Sequence, residues 1–199
     1  MNRIGVLISG SGTNLQAIID ATESGYIPDT KVVVVISNRK DAYGLERAKK
    51  HNIDSLFINP KNYESQIEYN EILKNELLIR KVDLVCLAGY LLKLELNFIK
   101  SFERKILNIH PALLPKYGGK GMYGHFVHTA VLNSGDKESG CTVHFVDEIY
   151  DHGKIIIQKK VPVLEGDTPD TLAKRVLEQE HKAYPEAIKL YFEKYKLKK

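Results

Sequence analysis

The chain has 199 residues, of which 43% are hydrophobic and 27% are charged, and its formal net charge is +4. This length suits a domain with a buried core, and no basic stripe interleaved with aromatic residues indicates a nucleic-acid partner. No apolar run approaches the ~20 residues of a membrane span, and the first residues lack a signal-peptide layout. We therefore expect a cytoplasmic protein with no nucleic-acid or membrane partner.

The start of the chain predicts a strand, a glycine-rich turn and a helix. Residues 4–8 are a continuous apolar run, which is typical of a strand buried on both faces of a parallel sheet. The sequence SGSGTN follows at 9–14, and residues 15–19 then have helical spacing. Backbone N–H groups at such a helix start can bind phosphate, but the segment is neither a Walker A motif nor a complete dinucleotide fingerprint. It predicts either a phosphate site or a tight turn in which Thr13 or Asn14 caps the helix.

Strands and helices then alternate along most of the chain. Predicted strands cover 31–37, 55–58, 84–88, 106–109, 140–146 and 154–163, and predicted helices cover 43–51, 65–80, 94–102, 125–133 and 168–196. This alternation predicts an α/β fold with a Rossmann-like, mostly parallel sheet flanked by helices. We expect a break or bend before Pro185, because proline lacks the N–H that a helix interior uses. No linker or repeat divides the chain, so we expect one domain over residues 1–199.

A polar pair stands at the end of the strand over 106–109, at the sheet edge where open α/β folds bind ligands. Asn108 and His110 are two positions apart and should point the same way. An amide NH2 can hold a developing oxyanion, and an imidazole can carry a proton near neutral pH. The pair indicates chemistry at a carbonyl, although a capped loop before Pro111 would explain the same residues.

Two acidic residues, Asp147 and Asp151, follow the next predicted strand. A carboxylate beside His110 would raise the pKa of the imidazole and stabilise its cation, whereas acidic residues in turns are usually only solvated. The seven histidines show no metal-ligand spacing of a known type, so we expect no metal site. Cys86 and Cys141 each stand alone in an apolar pattern, which predicts buried thiols.

Taken together, four motifs resemble those of the phosphoribosylglycinamide formyltransferases, a family of folate-dependent enzymes. They are SGSGTN at 9–14, LAGY at 87–90, NIHPALLP at 108–115, and VHFV at 143–146 leading to Asp151 and Gly153. These motifs occur in order at matching separations, and the resemblance runs nearly from end to end. It implies formyl transfer from 10-formyltetrahydrofolate to the glycine amine of glycinamide ribonucleotide, in de novo purine biosynthesis.

The resemblance also implies a formyltransferase fold with a division of labour. Residues from about 1 to 100 would form a phosphate-binding half, and residues from about 101 to 199 would form the catalytic and folate-binding half. Asn108 and His110 would stabilise the tetrahedral oxyanion, with His110 donating a proton. Asp151 would raise the pKa of His110 and, through water, help to remove a proton from the attacking amine.

Binding residues implied by the resemblance fall into two groups. Those for the ribonucleotide are Gly12, Thr13, Asn14 and Glu180. Those for the folate are Gln66, Leu91, Leu92, Leu94, Asn108, Val146, Asp147 and Glu148.

Some positions depart from the family pattern. Gln66 and Leu92 stand where the family often has arginine, so the glutamate tail of the folate can be held differently here. Leu177 replaces a glutamine that can contact the nucleotide. The loop 117–124 is longer than in the commonest members and is a candidate lid because of its glycine content, and its Lys120 is a candidate contact for a phosphate or carboxylate.

Other enzymes that use formyltetrahydrofolate share the Asn-x-His centre. A methionyl-tRNA formyltransferase would carry a large carboxyl-terminal domain, and a formyltetrahydrofolate hydrolase would carry a further domain before residues 1–3; we expect neither. A sugar-nucleotide formyltransferase is another alternative, and a non-catalytic nucleotide-binding module with the same sheet is an alternative of a different class. The sequence does not predict the oligomeric state.

Overall fold

A computed structural model describes residues 1–196, so the last three residues of the predicted domain, 197–199, lie outside it. The strands are β1 (Asn2–Ile8), β2 (Thr30–Ser37), β3 (Asp54–Phe57), β4 (Leu84–Leu87), β5 (Ile106–His110), β6 (Glu138–Phe145) and β7 (Ile155–Pro162). The helices are α1 (Thr13–Glu23), α2 (Tyr43–Lys50), α3 (Gln66–Ile79), α4 (Leu96–Ser101), α5 (His125–Ser134) and α6 (Pro169–Leu190). A short 3-10 turn occupies Pro60–Asn62.

All seven strands form one sheet in the order β3-β2-β1-β4-β5-β6-β7. The first four neighbouring pairs are parallel, and the pairs β5-β6 and β6-β7 are antiparallel. The predicted α/β fold with a mostly parallel sheet is therefore confirmed.

The strand order reverses between β1 and β4. From β1 the chain moves outward to β3 and then crosses to β4 on the other side of β1. Ser9 ties the two strand ends together, because its N–H donates to the Gly89 carbonyl at 3.1 Å and its Oγ accepts from the Leu91 N–H at 3.0 Å. A crevice outside such a reversal is the usual ligand site of an open α/β sheet.

Helices cover both faces of the sheet because the strands bury side chains on both faces. On β1, Ile4, Val6 and Ile8 pack on the side of α1, α2, α5 and α6, whereas Leu7 packs on the side of α3 and α4. These four side chains are completely buried. Each contributes about 1.5–3 kcal/mol to stability by leaving water.

Of the break or bend predicted before Pro185, the break does not occur. The helix is continuous through the proline to Leu190, and a π-helical turn follows at Tyr191–Tyr195. Proline in a helix interior costs about 3 kcal/mol. Tyr184 and Ile188 flank it and are completely buried, so packing against the sheet offsets that cost.

The Tyr184 hydroxyl also fixes α6 to the sheet. It hydrogen bonds to the carbonyls of Leu87 and Leu107, at 3.0 and 2.9 Å, at the end of β4 and within β5. Burial holds the pKa of Tyr184 well above its usual value, so the hydroxyl keeps the proton that it donates. α6 is thereby held across β4 and β5, and β5 carries the polar pair.

The start of α1 has no side-chain cap, so neither Thr13 nor Asn14 plays the capping role considered above. The residue that precedes the helix is Gly12, with φ of 70°. A Cβ at Gly12 would lie 2.7 Å from the Cα of Gly44 at the start of α2, so glycine permits this close approach. The first N–H groups of α1 therefore remain available to a ligand.

Cys86 and Cys141 are both buried and unbridged, as predicted. Over residues 1–196, none of the helices combines the length and the apolar character needed to cross a membrane.

Candidate active site

A cleft of about 830 Å³ includes residues that follow β1, β4 and β5. The predicted site residues that line it are Asn14, Leu91, Leu92, Leu94, Asn108, His110, Val146, Asp147, Glu148, Asp151 and Glu180. This volume is within the range of small-molecule sites. Residues from both predicted halves of the chain thus meet in one cleft.

The three predicted catalytic residues lie together in the cleft. Asn108 and His110 are on β5, and Asp151 is in the turn between β6 and β7. His110 Nδ1 is 3.5 Å from Asp151 Oδ2, and Asn108 Nδ2 is 3.4 Å from Asp151 Oδ1. The His110 side chain is only 4% exposed, so these charges and dipoles act with little screening by water.

His144 belongs to the same cluster, although its sequence pattern does not predict a place in the site. The antiparallel pairing of β5 and β6 places it directly opposite Asn108. Its Nδ1 is 2.8 Å from the Phe145 carbonyl, so Nδ1 carries the hydrogen and Nε2 accepts from Asn108 Nδ2 at 3.2 Å. Alternation along the strand indicates the face of His144, but the register that brings it to Asn108 comes from tertiary pairing.

Burial sets the protonation of His110. Its Nε2 is 2.7 Å from the Tyr117 carbonyl oxygen, so Nε2 donates to that oxygen and Nδ1 of the neutral ring faces Asp151. Burial lowers the pKa of His110, and it outweighs the charge of Asp151 and the Tyr117 carbonyl, which raise it. Asp151 therefore acts in the predicted sense, but burial outweighs it, and the pKa of His110 is lowered overall.

Asp151 is held as a carboxylate. Burial raises its pKa, but the neighbouring imidazoles of His144 and His110 and the hydrogen bond from the Gly119 N–H outweigh burial and bring the pKa below its usual value. The Gly119 N–H donates to Oδ2 at 3.0 Å. Asp151 has φ of 54°, and a Cβ on Gly153 would overlap the Phe145 carbonyl, so the turn leaves little room for other backbone arrangements.

Asp147, the other acidic residue considered in the sequence, has different partners from those of Asp151. Its carboxylate accepts from the Ile149 N–H at 2.9 Å and pairs with the exposed His152 at 3.1 Å. Of the two acidic residues considered in the sequence, only Asp151 contacts His110.

A second polar pair lines the cleft, formed by Asn14 and Glu180. Asn14 Nδ2 donates to Glu180 Oε2 at 2.7 Å, and both residues are buried. Burial raises the pKa of Glu180 despite this hydrogen bond. Asn14 Oδ1 is buried and has no hydrogen-bond partner among residues 1–196, so a ligand donor can satisfy it.

Three predicted binding residues lie outside the lining of the cleft. Gly12 and Thr13 precede Asn14 at the start of α1, and Thr13 lines a separate groove between α1 and α6. Gln66 Nε2 donates to the Lys93 carbonyl at 3.1 Å, so its side chain supports the segment that carries Leu91 and Leu92.

Hydrogen bonds fix the chain between β5 and the glycine-rich loop (residues 117–124). Thr142 Oγ1 donates to the Ala112 carbonyl at 2.6 Å and accepts from the Leu114 N–H at 3.1 Å. Gln158 Nε2 donates to the Leu114 carbonyl at 2.9 Å. The loop therefore leaves the sheet from a fixed point.

In chemical terms the cluster offers an amide donor and a neutral imidazole, each within about 3.5 Å of the same carboxylate. This set suits proton transfer and oxyanion stabilisation at a carbonyl group. The described part of the chain contains no group of three or more His, Cys, Asp or Glu residues placed to hold a metal ion.

Comparison with known proteins agrees with this geometry. The formyl transferase family model matches residues 2–188. The chain is 46% identical to the phosphoribosylglycinamide formyltransferase of Haemophilus influenzae over 97% of this chain and 88% of that one. The structure of glycinamide ribonucleotide transformylase 1 from Symbiobacterium toebii superposes with a TM-score of 0.92 at 50% identity, over 97% of this chain and 88% of that one.

A longer relative contains the same region. The trifunctional purine biosynthetic protein adenosine-3 of Chironomus tentans is 48% identical over 94% of this chain, which spans only 13% of that protein's length. The predicted resemblance to phosphoribosylglycinamide formyltransferases is thus confirmed, and the chain belongs to the formyl transferase family.

Proposed function

We propose that this chain moves the formyl group of 10-formyltetrahydrofolate to the amine of glycinamide ribonucleotide, a step of de novo purine biosynthesis. The proposal is carried by one observation, the buried cluster of Asn108, His110 and Asp151 in the cleft of a chain so similar to phosphoribosylglycinamide formyltransferases. Acyl transfer between two nitrogen atoms needs an oxyanion donor and a group that moves one proton, and this cluster offers both.

The reaction makes one bond, breaks one bond and moves one proton. The amine nitrogen bonds to the formyl carbon, the bond from that carbon to N10 of the folate breaks, and the proton lost by the amine ends on N10. Negative charge develops on the formyl oxygen between these steps. Asn108 can donate to it, because only one of its amide hydrogens is well bonded, to His144, while the other faces Asp151 at a long 3.4 Å.

His110 and Asp151 carry the proton in this proposal. Nε2 of His110 donates to Tyr117, so the basic Nδ1 faces the carboxylate of Asp151 at 3.5 Å. A proton accepted from the amine is stabilised there by the carboxylate, and it is then passed to N10. The lowered pKa of His110 keeps the ring neutral at pH 7 and able to accept that proton.

The ribonucleotide fits the part of the cleft nearest α1. Its phosphate would bind the uncapped N–H groups that follow Gly12, where the helix dipole favours an anion. Thr13 and Asn14 contribute to that helix start. Glu180, already bonded to Asn14, would hold the ribose or the amine.

The folate fits the segments that follow β4 and β6. Leu91, Leu92 and Leu94 line the cleft and offer apolar surface to the pterin. Residues 146–148 line it as well, and their backbone groups would read the hydrogen-bonding edge of the ring. Together these residues fit 10-formyltetrahydrofolate as the co-substrate.

Incubation of the purified protein with both substrates tests the proposal. We expect formylated ribonucleotide and tetrahydrofolate in equal amounts, and no deformylation when the ribonucleotide is omitted. Equal release of formate without the ribonucleotide would make the chain a hydrolase. Transfer to a sugar nucleotide and not to glycinamide ribonucleotide would identify the other enzymatic alternative.

The division of the chain at about residue 100 into phosphate-binding and catalytic halves remains a prediction. A cytoplasmic location and the lack of a nucleic-acid partner also remain predictions.

A further inference from the structure

The glycine-rich loop turns each of its central side chains toward the cleft. Lys120, Met122 and Tyr123 all line it. Gly119 and Gly121, on either side of Lys120, have φ of 102° and 88°, and a Cβ on either would meet nothing within 4 Å. Glycine is therefore required there by the backbone path and not by crowding, and that path is what presents the three side chains.

Lys120 brings an uncompensated positive charge to the cleft. Within residues 1–196 it makes no ion pair and no hydrogen bond, and it is exposed. Lys93 lines the same cleft but lies 3.8 Å from the carboxylate of Glu95. Lys120 is thus a cation that can pair with an anionic ligand without first leaving a carboxylate of the protein.

Beside this charge the loop offers apolar and aromatic surface. Tyr123 is 50% exposed, and its ring packs edge-on against Phe126 with centroids 5.4 Å apart. Met122 is half-buried. Leu91 and Tyr150 add exposed apolar surface to the lining of the same cleft. An aromatic ring supported on one side by another ring is a ready surface for a flat ligand group.

We propose that the glycine-rich loop binds the p-aminobenzoyl-glutamate part of the folate, with Met122 and Tyr123 against the aryl ring and Lys120 on a glutamate carboxylate. This inference rests on the proposed function, because it takes the folate as the ligand. In that ligand the ring is joined to the glutamate through one amide, and Tyr123 and Lys120, three residues apart in the loop, line the same cleft.

Calorimetric binding of tetrahydrofolate and of tetrahydropteroate, which lacks the glutamate, tests the loop without any need for turnover. We expect Lys120→Ala to weaken tetrahydrofolate binding about fivefold, the scale of an exposed ion pair, and to leave tetrahydropteroate binding unchanged. Lys120→Arg should retain affinity. Added salt should weaken tetrahydrofolate binding by the unmodified protein more than by Lys120→Ala.

Tyr123→Leu separates the ring contact from the charge contact. It should weaken both ligands by the same factor, because both contain the aryl ring, whereas Tyr123→Phe should not. Lys182→Ala is the matched control, since this exposed lysine lines the separate groove between α1 and α6. It should change neither affinity.

The inference is overturned if Lys120→Ala weakens both ligands equally, or neither, or if Lys182→Ala has the same effect as Lys120→Ala. Protein that binds folate in a Lys120-dependent manner but does not transfer formyl to the ribonucleotide would overturn the proposed function and leave this inference standing. Protein that binds neither ligand would overturn both.

Discussion

The catalytic cluster and the glycine-rich loop line the same cleft but are held in opposite ways. Asn108, His110 and His144 lie on paired strands, and each contacts another member of the cluster or Asp151. The loop presents its side chains from a glycine-rich backbone, and Lys120 is free of protein partners among residues 1–196. Groups that move a proton need distances fixed before the ligand arrives, whereas contacts to a flexible tail can form afterwards.

The largest expected effect is the loss of activity when Asp151, in the rigidly held catalytic cluster, loses its charge. We expect Asp151→Asn to lower kcat about 100-fold, the scale of general acid-base catalysis, with little change in ligand affinity. Asparagine tolerates the positive φ at this position, so the turn should remain folded. Steady-state kinetics with separate binding measurements would check this.

The control for this variant is Asp147→Asn, which alters an exposed carboxylate paired with His152. Its kcat should be nearly unchanged. Similar losses of kcat in the two variants would contradict the assignment of the proton-carrying role to Asp151.

Gly153→Ala should disturb the same turn through its backbone. The added methyl would overlap the Phe145 carbonyl, so we expect a loss of about 2 kcal/mol in the free energy of unfolding. Urea denaturation would measure it. Gly10→Ala meets open space and should change stability far less; an equal loss there would show that the overlap is not the cause.

Glu180→Gln should show that the buried carboxyl of Glu180, which pairs with Asn14, lowers the stability of the fold. Because the folded pKa of Glu180 is raised by burial, the unfolded chain ionises first as the pH rises above about 4.5, and stability falls from there toward the folded pKa. The variant lacks this loss. We expect it to be more stable at pH 7 by about 1 kcal/mol, with the difference vanishing near pH 4.

Urea denaturation at both pH values would measure the difference, with Glu178→Gln as an exposed control on the same helix. A stability difference that is the same at pH 4 and pH 7 would contradict the linkage. Ribonucleotide affinity should fall in Glu180→Gln even as stability rises.

The smallest expected effect concerns Asp136, whose contacts fix Tyr117, the first residue of the glycine-rich loop. Asp136 accepts from the Tyr117 hydroxyl at 2.8 Å and pairs with Lys116 at 2.9 Å, and Tyr117 in turn holds His110 through its carbonyl. We expect Asp136→Ala to lower kcat about threefold, the scale of a surface ion pair.

The pH dependence of kcat for Asp136→Ala should also shift, because the Tyr117 carbonyl helps to set the pKa of His110. Glu138→Ala, two residues further along the chain, removes an exposed ion pair with Lys160 and should leave the pH dependence of kcat unchanged. An unchanged pH profile in Asp136→Ala would mean that the contacts of Asp136 do not position the imidazole.

The sequence predicted the elements well because apolar periodicity reports burial directly. The strand that carries Asn108 and His110, and the residue pair itself, follow from alternation. The place of His144 does not, because it depends on the register between two strands far apart in the chain. The sequence also left open a break before Pro185, and α6 is continuous there because it packs against the sheet.

Electrostatics was the least predictable part of the site. The influence of Asp151 on His110 follows from charge alone, but the net pKa depends on how deeply the ring is buried. Burial of that ring is a property of the assembled cleft, as is the orientation of Gln66 toward the backbone of Lys93. Neither can be read from neighbouring residues in the sequence.

The hydrogen bonds of Thr142 and Gln158 fix the backbone just before the glycine-rich loop, whatever the length of that loop. Ala112 and Leu114 stay on the sheet whatever follows them. The Tyr117 carbonyl and the Gly119 N–H hold His110 and Asp151, so only residues 120–124, between Gly119 and α5, can be replaced without removing those contacts. For protein engineering the segment is an exchangeable cassette, through which ligand preference can be altered while the chemistry is retained.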